Sequence, residues 1–184
     1  MRKGVFTMEK MKESSVYKMV LLGVLCAVCG LFLSVVNSIT APIIAENALA
    51  TVKDSLEIIY PGAEFTDVTE DYIAEDTTGH VDAIYTAGDE GVIFTLNGTG
   101  YSSSGLTFMV GFDTEGAISG FVPLESSETD GFGSRVFEEE FYSTYVGIAE
   151  GDEIPMLSGA TLTSTAVRDG IEAAQALLPS VLGN

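Results

Sequence analysis

The sequence predicts an α+β protein: a single N-terminal transmembrane helix, then an antiparallel-sheet domain packed with helices. Three observations carry this. Met19–Val36 is an apolar run whose only polar residue is Ser34. Four strand-like runs then follow at spacings too short for the crossovers of a parallel sheet. A helical period returns at the C-terminus, and strands grouped apart from helices are the mark of an α+β domain.

The anchor comes first. At about 1.5 Å per residue the run nearly spans a hydrocarbon core of about 30 Å, and the apolar flank Ile39–Ile44 extends it. Arg2, Lys3, Lys10, Lys12 and Lys18 all precede the run. The positive-inside rule therefore places the N-terminus in the cytoplasm and residues beyond about 40 outside. A cleaved signal peptide fits less well, because its small-residue site should follow the apolar region closely. The one A-x-A pattern, Ala48-Leu49-Ala50, lies well past it, and neither Cys26 nor Cys29 follows a lipobox. "RKGVFTMEK" is similar to a type IV prepilin leader, but Lys10, Lys12 and Glu13 break the apolar helix such a leader needs. The expected segments are a basic N-terminus (1–18), a retained anchor (19–40), a juxtamembrane helix (41–62) and an outer domain (63–184).

Charge and scarce residue types narrow the chemistry. Residues 1–37 hold five basic and two acidic side chains; the remainder holds Lys53, Arg135 and Arg168 against 25 acids. So acidic a surface repels phosphate backbones, which excludes nucleic acid as a partner. Cys26 and Cys29 lie three apart inside the span, where thiols without further ligands read as small packing residues. His80 is the only histidine and Trp is absent. A catalytic triad or zinc site would rest on His80 alone, in "EDTTGHVD", which reads as a solvated loop; no metal site is expected. There is no G-x-G-x-x-G after a strand, so NAD binding is not expected. Any redox chemistry must come from a cofactor.

Each element of the outer region follows from its pattern. Ile44, Leu49, Val52, Leu56 and Ile59 recur at helical spacing, and Pro61-Gly62 ends that helix. "FTDVTEDYIAEDTTGH" reads as an acidic, turn-rich connection. "VDAIYTAG", "GVIFTLNGTGY", "LTFMVGFD" and "AISGFVPLES" are rich in β-branched and aromatic residues and bounded by Gly, Asp or Ser. Asp113–Gly116 supplies a hairpin turn between the last two. "VFEEEFYSTYVG" predicts a short helix and "STAVRDGIEAAQALL" a longer one.

The last helix opens on "LSGATLTSTAV", with hydroxyls at Ser158, Thr161, Thr163, Ser164 and Thr165. Ser158 or the residues just after it are expected to cap the helix. The free N–H groups of a first turn carry the positive end of the helix dipole and bind phosphate. Gly159 and Ala160 leave room for close approach. From the residues alone, a phosphate site and a plain N-cap rich in Ser and Thr both remain open.

Ser158-Gly159-Ala160-Thr161 resembles the S-G-A-T motif of the covalent FMN-binding domain shared by the G subunit of Rnf complexes and the C subunit of Na⁺-translocating NADH:quinone oxidoreductases. "ESSETDGFGSRV" is similar to that family's E-T-P-G-L-G segment at Glu128, Thr129, Gly131 and Gly133, with Asp130 for proline and Phe132 for leucine. "LEIIYPGAEF" and "LNGTGYSSSGLTFMVGFDTEGAISGFVPLES" resemble its segments after the anchor and before the glycine motif. Order and spacing agree from the anchor to residue 175, and the length is nearer the G subunit. One position departs: Pro155 stands where the flavin transferase pattern has Asp, with Asp152 and Glu153 the nearest acids.

The resemblance implies an electron-carrier subunit of an ion-translocating ferredoxin:NAD⁺ oxidoreductase in a bacterial plasma (inner) membrane. It implies FMN on the outer face, esterified through its phosphate to Thr161 by a dedicated flavin transferase, and other membrane subunits as partners. Ser158, Gly159, Ala160, Thr163 and Ser164 would surround the phosphate. Tyr101, Phe132, Met156 and Leu157 would face the ring, and Glu128, Thr129, Gly131 and Gly133 would supply polar contacts and close turns. Each has a plainer alternative: Phe132 as core, Glu128 as a solvated turn acid, Gly131 and Gly133 as ordinary turn glycines.

Overall fold

A computed structural model describes residues 15–103 and 105–183, with the side chains of residues 15, 16 and 41–49 outside that description. The basic stretch 1–14 with its leader-like motif, and the side chains at Pro42, Ala48 and Leu49, lie outside the described residues. The chain divides between Thr51 and Val52 into two units.

Helix α1 (Ser15–Ile59) forms the described part of the first unit and enters the second. Its stretch Tyr17–Thr40, 24 residues, is long and apolar enough to cross a membrane. Large apolar side chains from Met19 to Ile39 are exposed along it. The Ser38 and Thr40 hydroxyls donate to the carbonyls of Val35 and Val36 within the same helix. The backbone stays helical through Pro42, so the segments expected as anchor and juxtamembrane helix are one helix. It stops at Ile59, and Gly62 takes the left-handed φ of +81° that the turn requires.

The second unit is built on an antiparallel meander in sequence order: β1 (Phe65–Asp67), β2 (Val81–Ala87), β3 (Gly91–Gly98), β4 (Leu106–Asp113) and β5 (Ile118–Ser126). The β4–β5 turn closes as the sequence predicts. The Asp113 carboxylate accepts the N–H groups of Glu115 and Ala117, each at 2.9 Å.

Both sheet faces are apolar and both are covered. Helix α4 (Thr161–Leu182) lies on one, burying Val167, Ile171, Ala174 and Leu178 at helical spacing against Phe94, Leu96 and Phe108. Gly170 permits close approach, since a Cβ there would sit 3.0 Å from the Phe108 ring. On the other face Leu56 and Tyr60, at the end of α1, pack on Ile93, Met109 and Val122. Gly111 and Gly120 are paired across β4 and β5 and leave a notch for Ile59. The Tyr60 hydroxyl accepts a 2.7 Å bond from Ser119. Burial pushes its phenol up despite that bond, and the nearby carboxylates of Asp113 and Glu90 push it further.

The structure differs from expectation in two places. The acidic connection holds β1, a helical turn α2 (Thr69–Tyr72) and a 3-10 turn at Ile73–Glu75. Its polar side chains make the local bonds. Asp67 accepts the Thr69 N–H at 2.9 Å, and the Thr69 hydroxyl accepts the Ile84 N–H at 2.9 Å, which pins the segment to β2. The segment expected as one short helix is three short pieces: Gly133–Phe137, α3 (Glu139–Tyr142) and Ser143–Tyr145. Breaking the helix lets Phe137, Tyr142 and Tyr145 all pack against Phe121.

Tyr145 is fully buried and its hydroxyl has no hydrogen-bond partner, so burial raises its phenol far above the ordinary value. Tyr145→Phe keeps the ring and removes the orphan oxygen. It should stabilise the domain by about 1 kcal/mol in urea unfolding.

Burial pushes the Asp76 carboxyl up, but donors outweigh it and hold it below the usual range: the Thr78 hydroxyl first, then the N–H groups of Val81, Thr78 and Gly79. A lowered native value contributes stability above the unfolded value of about 3.9, lost as pH falls through the native one. Asp76→Ala should therefore destabilise at pH 7, and its difference from the parent should shrink toward pH 2 in unfolding titrations.

Candidate functional site

Three segments converge on a cavity of about 550 Å³. The β3–β4 connection supplies Tyr101. The loop after β5 supplies Glu128, Thr129, Phe132 and Gly133. The start of α4 supplies Gly159, Ala160, Thr161, Leu162 and Thr163.

The start of α4 differs from the expected cap. Ala160 is the N-cap residue, no side chain caps the helix, and Thr161 is its first residue. Ser158 is exposed and plays no capping part. The approach is instead folded back on the helix. The buried Ser164 hydroxyl accepts the Leu157 N–H at 3.1 Å, and the Ala160 N–H donates to the Leu157 carbonyl at 3.1 Å. Gly159 makes that turn at φ +88°, where an L side chain would be strained. The first bond into the helix is from the Ser164 N–H to the Ala160 carbonyl. The N–H groups of Thr161, Leu162 and Thr163 precede it and have no partner within the helix.

This geometry sorts the five hydroxyls. Thr163 and Ser164 are buried and bonded. Ser158 and Thr165 do not line the cavity. Thr161 is exposed, lines the cavity and stands at the first position of the helix.

Glu128 is 7% exposed, so it is not a solvated turn acid. One carboxylate oxygen accepts the Thr163 hydroxyl at 2.8 Å and the other the Ser102 N–H at 3.1 Å. Both bonds are accepted, as an ionised carboxylate does. The pair joins the two motifs of the sequence across 35 residues. Glycines make it possible: a Cβ on Gly133 would collide with Glu128 and lie 2.7 Å from the Thr163 hydroxyl. A Cβ on Gly100 would lie 2.6 Å from the other Glu128 oxygen.

The opposite lining is apolar and open. Tyr101, Phe132 and Leu162 are 75%, 65% and 58% exposed, which places Phe132 outside the core.

Of the residues singled out by sequence, Tyr101, Glu128, Thr129, Phe132, Gly133, Gly159, Ala160, Thr161 and Thr163 come together here. Ser158, Ser164, Gly131, Leu157 and Met156 do not line the cavity. Gly131 is an exposed turn residue at φ +75° whose N–H donates to Ser134. Leu157 packs partly buried against the core and borders a smaller hollow with Arg135. Leu162, which the sequence pattern did not single out, also lines the cavity. Its signal was its place beside Thr161 in a first turn, where an apolar side chain has no core to enter. Gly100 and Ser102 were also missed, because only the folded loop brings them to Glu128. Among the described residues no group of three or more His, Cys, Asp or Glu side chains is placed to hold a metal ion.

Thr163→Val leaves a buried Glu128 oxygen without its donor and should cost about 1–3 kcal/mol in urea unfolding. Thr161→Val, at an exposed hydroxyl, should change stability by less than about 0.5 kcal/mol.

Residues 100–176 match the family model of the FMN-binding domain. No curated protein matches the chain. The match begins beside Tyr101 and ends within α4, leaving α1 and the first three strands outside it. Every residue of the cavity lies inside the segment that matches the FMN-binding domain.

Proposed function

We propose that this chain is a membrane-anchored flavin carrier, with FMN joined through its phosphate to Thr161. In this reading it is an electron-carrier subunit of an Rnf-type ion-translocating ferredoxin:NAD⁺ oxidoreductase, held by α1 with the flavin domain on the outer membrane face. The sorting of hydroxyls carries the attachment: Thr161 alone among the five is both exposed and on the cavity wall. The match to an FMN-binding domain and the apolar stretch Tyr17–Thr40 support a membrane-anchored flavin protein. The order of the two motifs after an anchor is shared by the Rnf G subunit and the quinone oxidoreductase C subunit, and the assignment to an Rnf-type complex rests on the sequence resemblance to the former.

The residues present fit FMN. A cavity of about 550 Å³ is of the size that small-molecule cofactors occupy. Tyr101, Phe132 and Leu162 offer the isoalloxazine an apolar surface, and the free N–H groups at the start of α4 suit a phosphoester. When bound, FMN supplies the electron-accepting and electron-donating chemistry. The chain's part is to hold and orient it. Gly133 and Gly100 let the glycine loop close on the helix, and the bond from Thr163 to Glu128 fixes the start of α4 relative to that loop. In the transferase reaction the Thr161 oxygen would form the new P–O bond and lose its proton, while the P–O bond between the flavin phosphate and the rest of the flavin donor breaks and that leaving group departs with the proton, a net gain of FMN less one water.

Intact mass and in-gel fluorescence of the full chain, coexpressed with a flavin transferase, test this reading. A mass gain of one FMN less one water, lost in Thr161→Val, is the expected result and would show that Pro155 is tolerated. Copurification with other membrane subunits tests the place in a complex. A colourless, unmodified protein beside a flavinylated control substrate would sink the covalent assignment and favour a cofactor-free, membrane-anchored acidic binding module.

A further inference from the structure

We infer that Glu128 makes this cavity selective by charge, admitting a singly charged phosphodiester and rejecting a free phosphate monoester. The inference rests on the reading that the cavity takes a flavin, and it concerns which phosphorylated form is retained there. The carboxylate is buried and accepts the hydroxyl of Thr163, two residues after Thr161 in the first turn of α4. The free N–H groups of that turn are what would draw an anion. A fixed negative charge beside them offsets that attraction. Among the described residues no Lys or Arg lines the cavity.

The nearby cations are otherwise placed. Arg135 borders a different hollow with Glu138 and Glu140. Arg168 pairs with Asp169 at 2.9 Å and lies 3.6 Å from Glu172. The loop also carries the exposed Asp130.

A phosphate monoester carries about −1.5 to −2 charges at pH 7, since its second pKa is about 6. A diester carries one, so repulsion by Glu128 falls most heavily on the free cofactor. Free FMN is then a poor ligand despite its matching ring, and the Thr161 ester both lowers the phosphate charge and prevents escape. Competing phosphorylated metabolites, which carry the same dianionic group, are rejected by the same field.

The test uses the full chain made without a flavin transferase, titrated with riboflavin and with FMN and followed by quenching of flavin fluorescence. The two probes share ring and ribityl chain and differ in the phosphate. Riboflavin should bind at least as tightly as FMN. Glu128→Gln removes the charge, keeping an acceptor for Thr163 and giving up the one for the Ser102 N–H; it should raise the FMN-to-riboflavin affinity ratio by about tenfold, as loss of one nearby charge implies. The parent's own FMN-to-riboflavin ratio gives a reading that does not depend on the variant folding.

FMN bound more tightly than riboflavin by the parent, or a ratio unmoved by Glu128→Gln, would overturn the inference and leave the flavin site standing. Quenching by neither flavin, together with no covalent load when a transferase is supplied, would overturn the flavin reading itself and the inference with it.

Discussion

A meander with apolar side chains on both faces must be covered twice, and that requirement organises the second unit. Alternate residues of β3 show it: Val92, Phe94 and Leu96 enter the core under α4, while Ile93 enters the core beside the end of α1. Antiparallel sheets often leave one face to solvent. This one cannot, because Ile93, Met109 and Val122 would be left bare. Covering the first face brings the start of α4 to the loop that follows β5, and the cavity forms where they meet.

Within the cavity, one bond fixes the arrangement. Glu128 and Thr163 are distant in sequence and belong to motifs with no local reason to touch. Their hydrogen bond and the two glycines beside it bring the loop and helix start together with little room for adjustment. A buried acid is tolerable because both of its oxygens are satisfied. The other wall is left open, with Tyr101, Phe132 and Leu162 exposed. In the proposed carrier, these two walls divide the task. The polar wall sets the position and charge of the phosphate end, and the apolar wall receives the ring.

Much of this was legible in the chain. The long apolar helix, four of the five strands, the Asp113 turn and the last helix follow from patterns whose cause is local: hydropathy, alternation and turn chemistry. The S-G-A-T and E-T-D-G-F-G segments pointed to the residues that mostly line the cavity. What escaped had a non-local cause. The strand Phe65–Asp67 is too short to show alternation and exists because it pairs with β2. The expected helix after Gly133 is broken because Phe137, Tyr142 and Tyr145 share Phe121 as a partner. Ser158 looked like a cap by composition, but the turn at Gly159 leaves Ala160 in that place.

By itself the sequence determined which segments are apolar and long enough to cross a membrane, which alternate as strands, and where hydroxyls and glycines cluster. Those properties depend on near neighbours along the chain. Only the tertiary structure decided which hydroxyl stands exposed at the cavity. It buried Thr163 against Glu128, used Ser164 to hold Leu157, and left Thr161 exposed on the cavity wall. Burial and hydrogen bonding are relations between distant segments, so five similar side chains in one short stretch became distinguishable only when the chain folded.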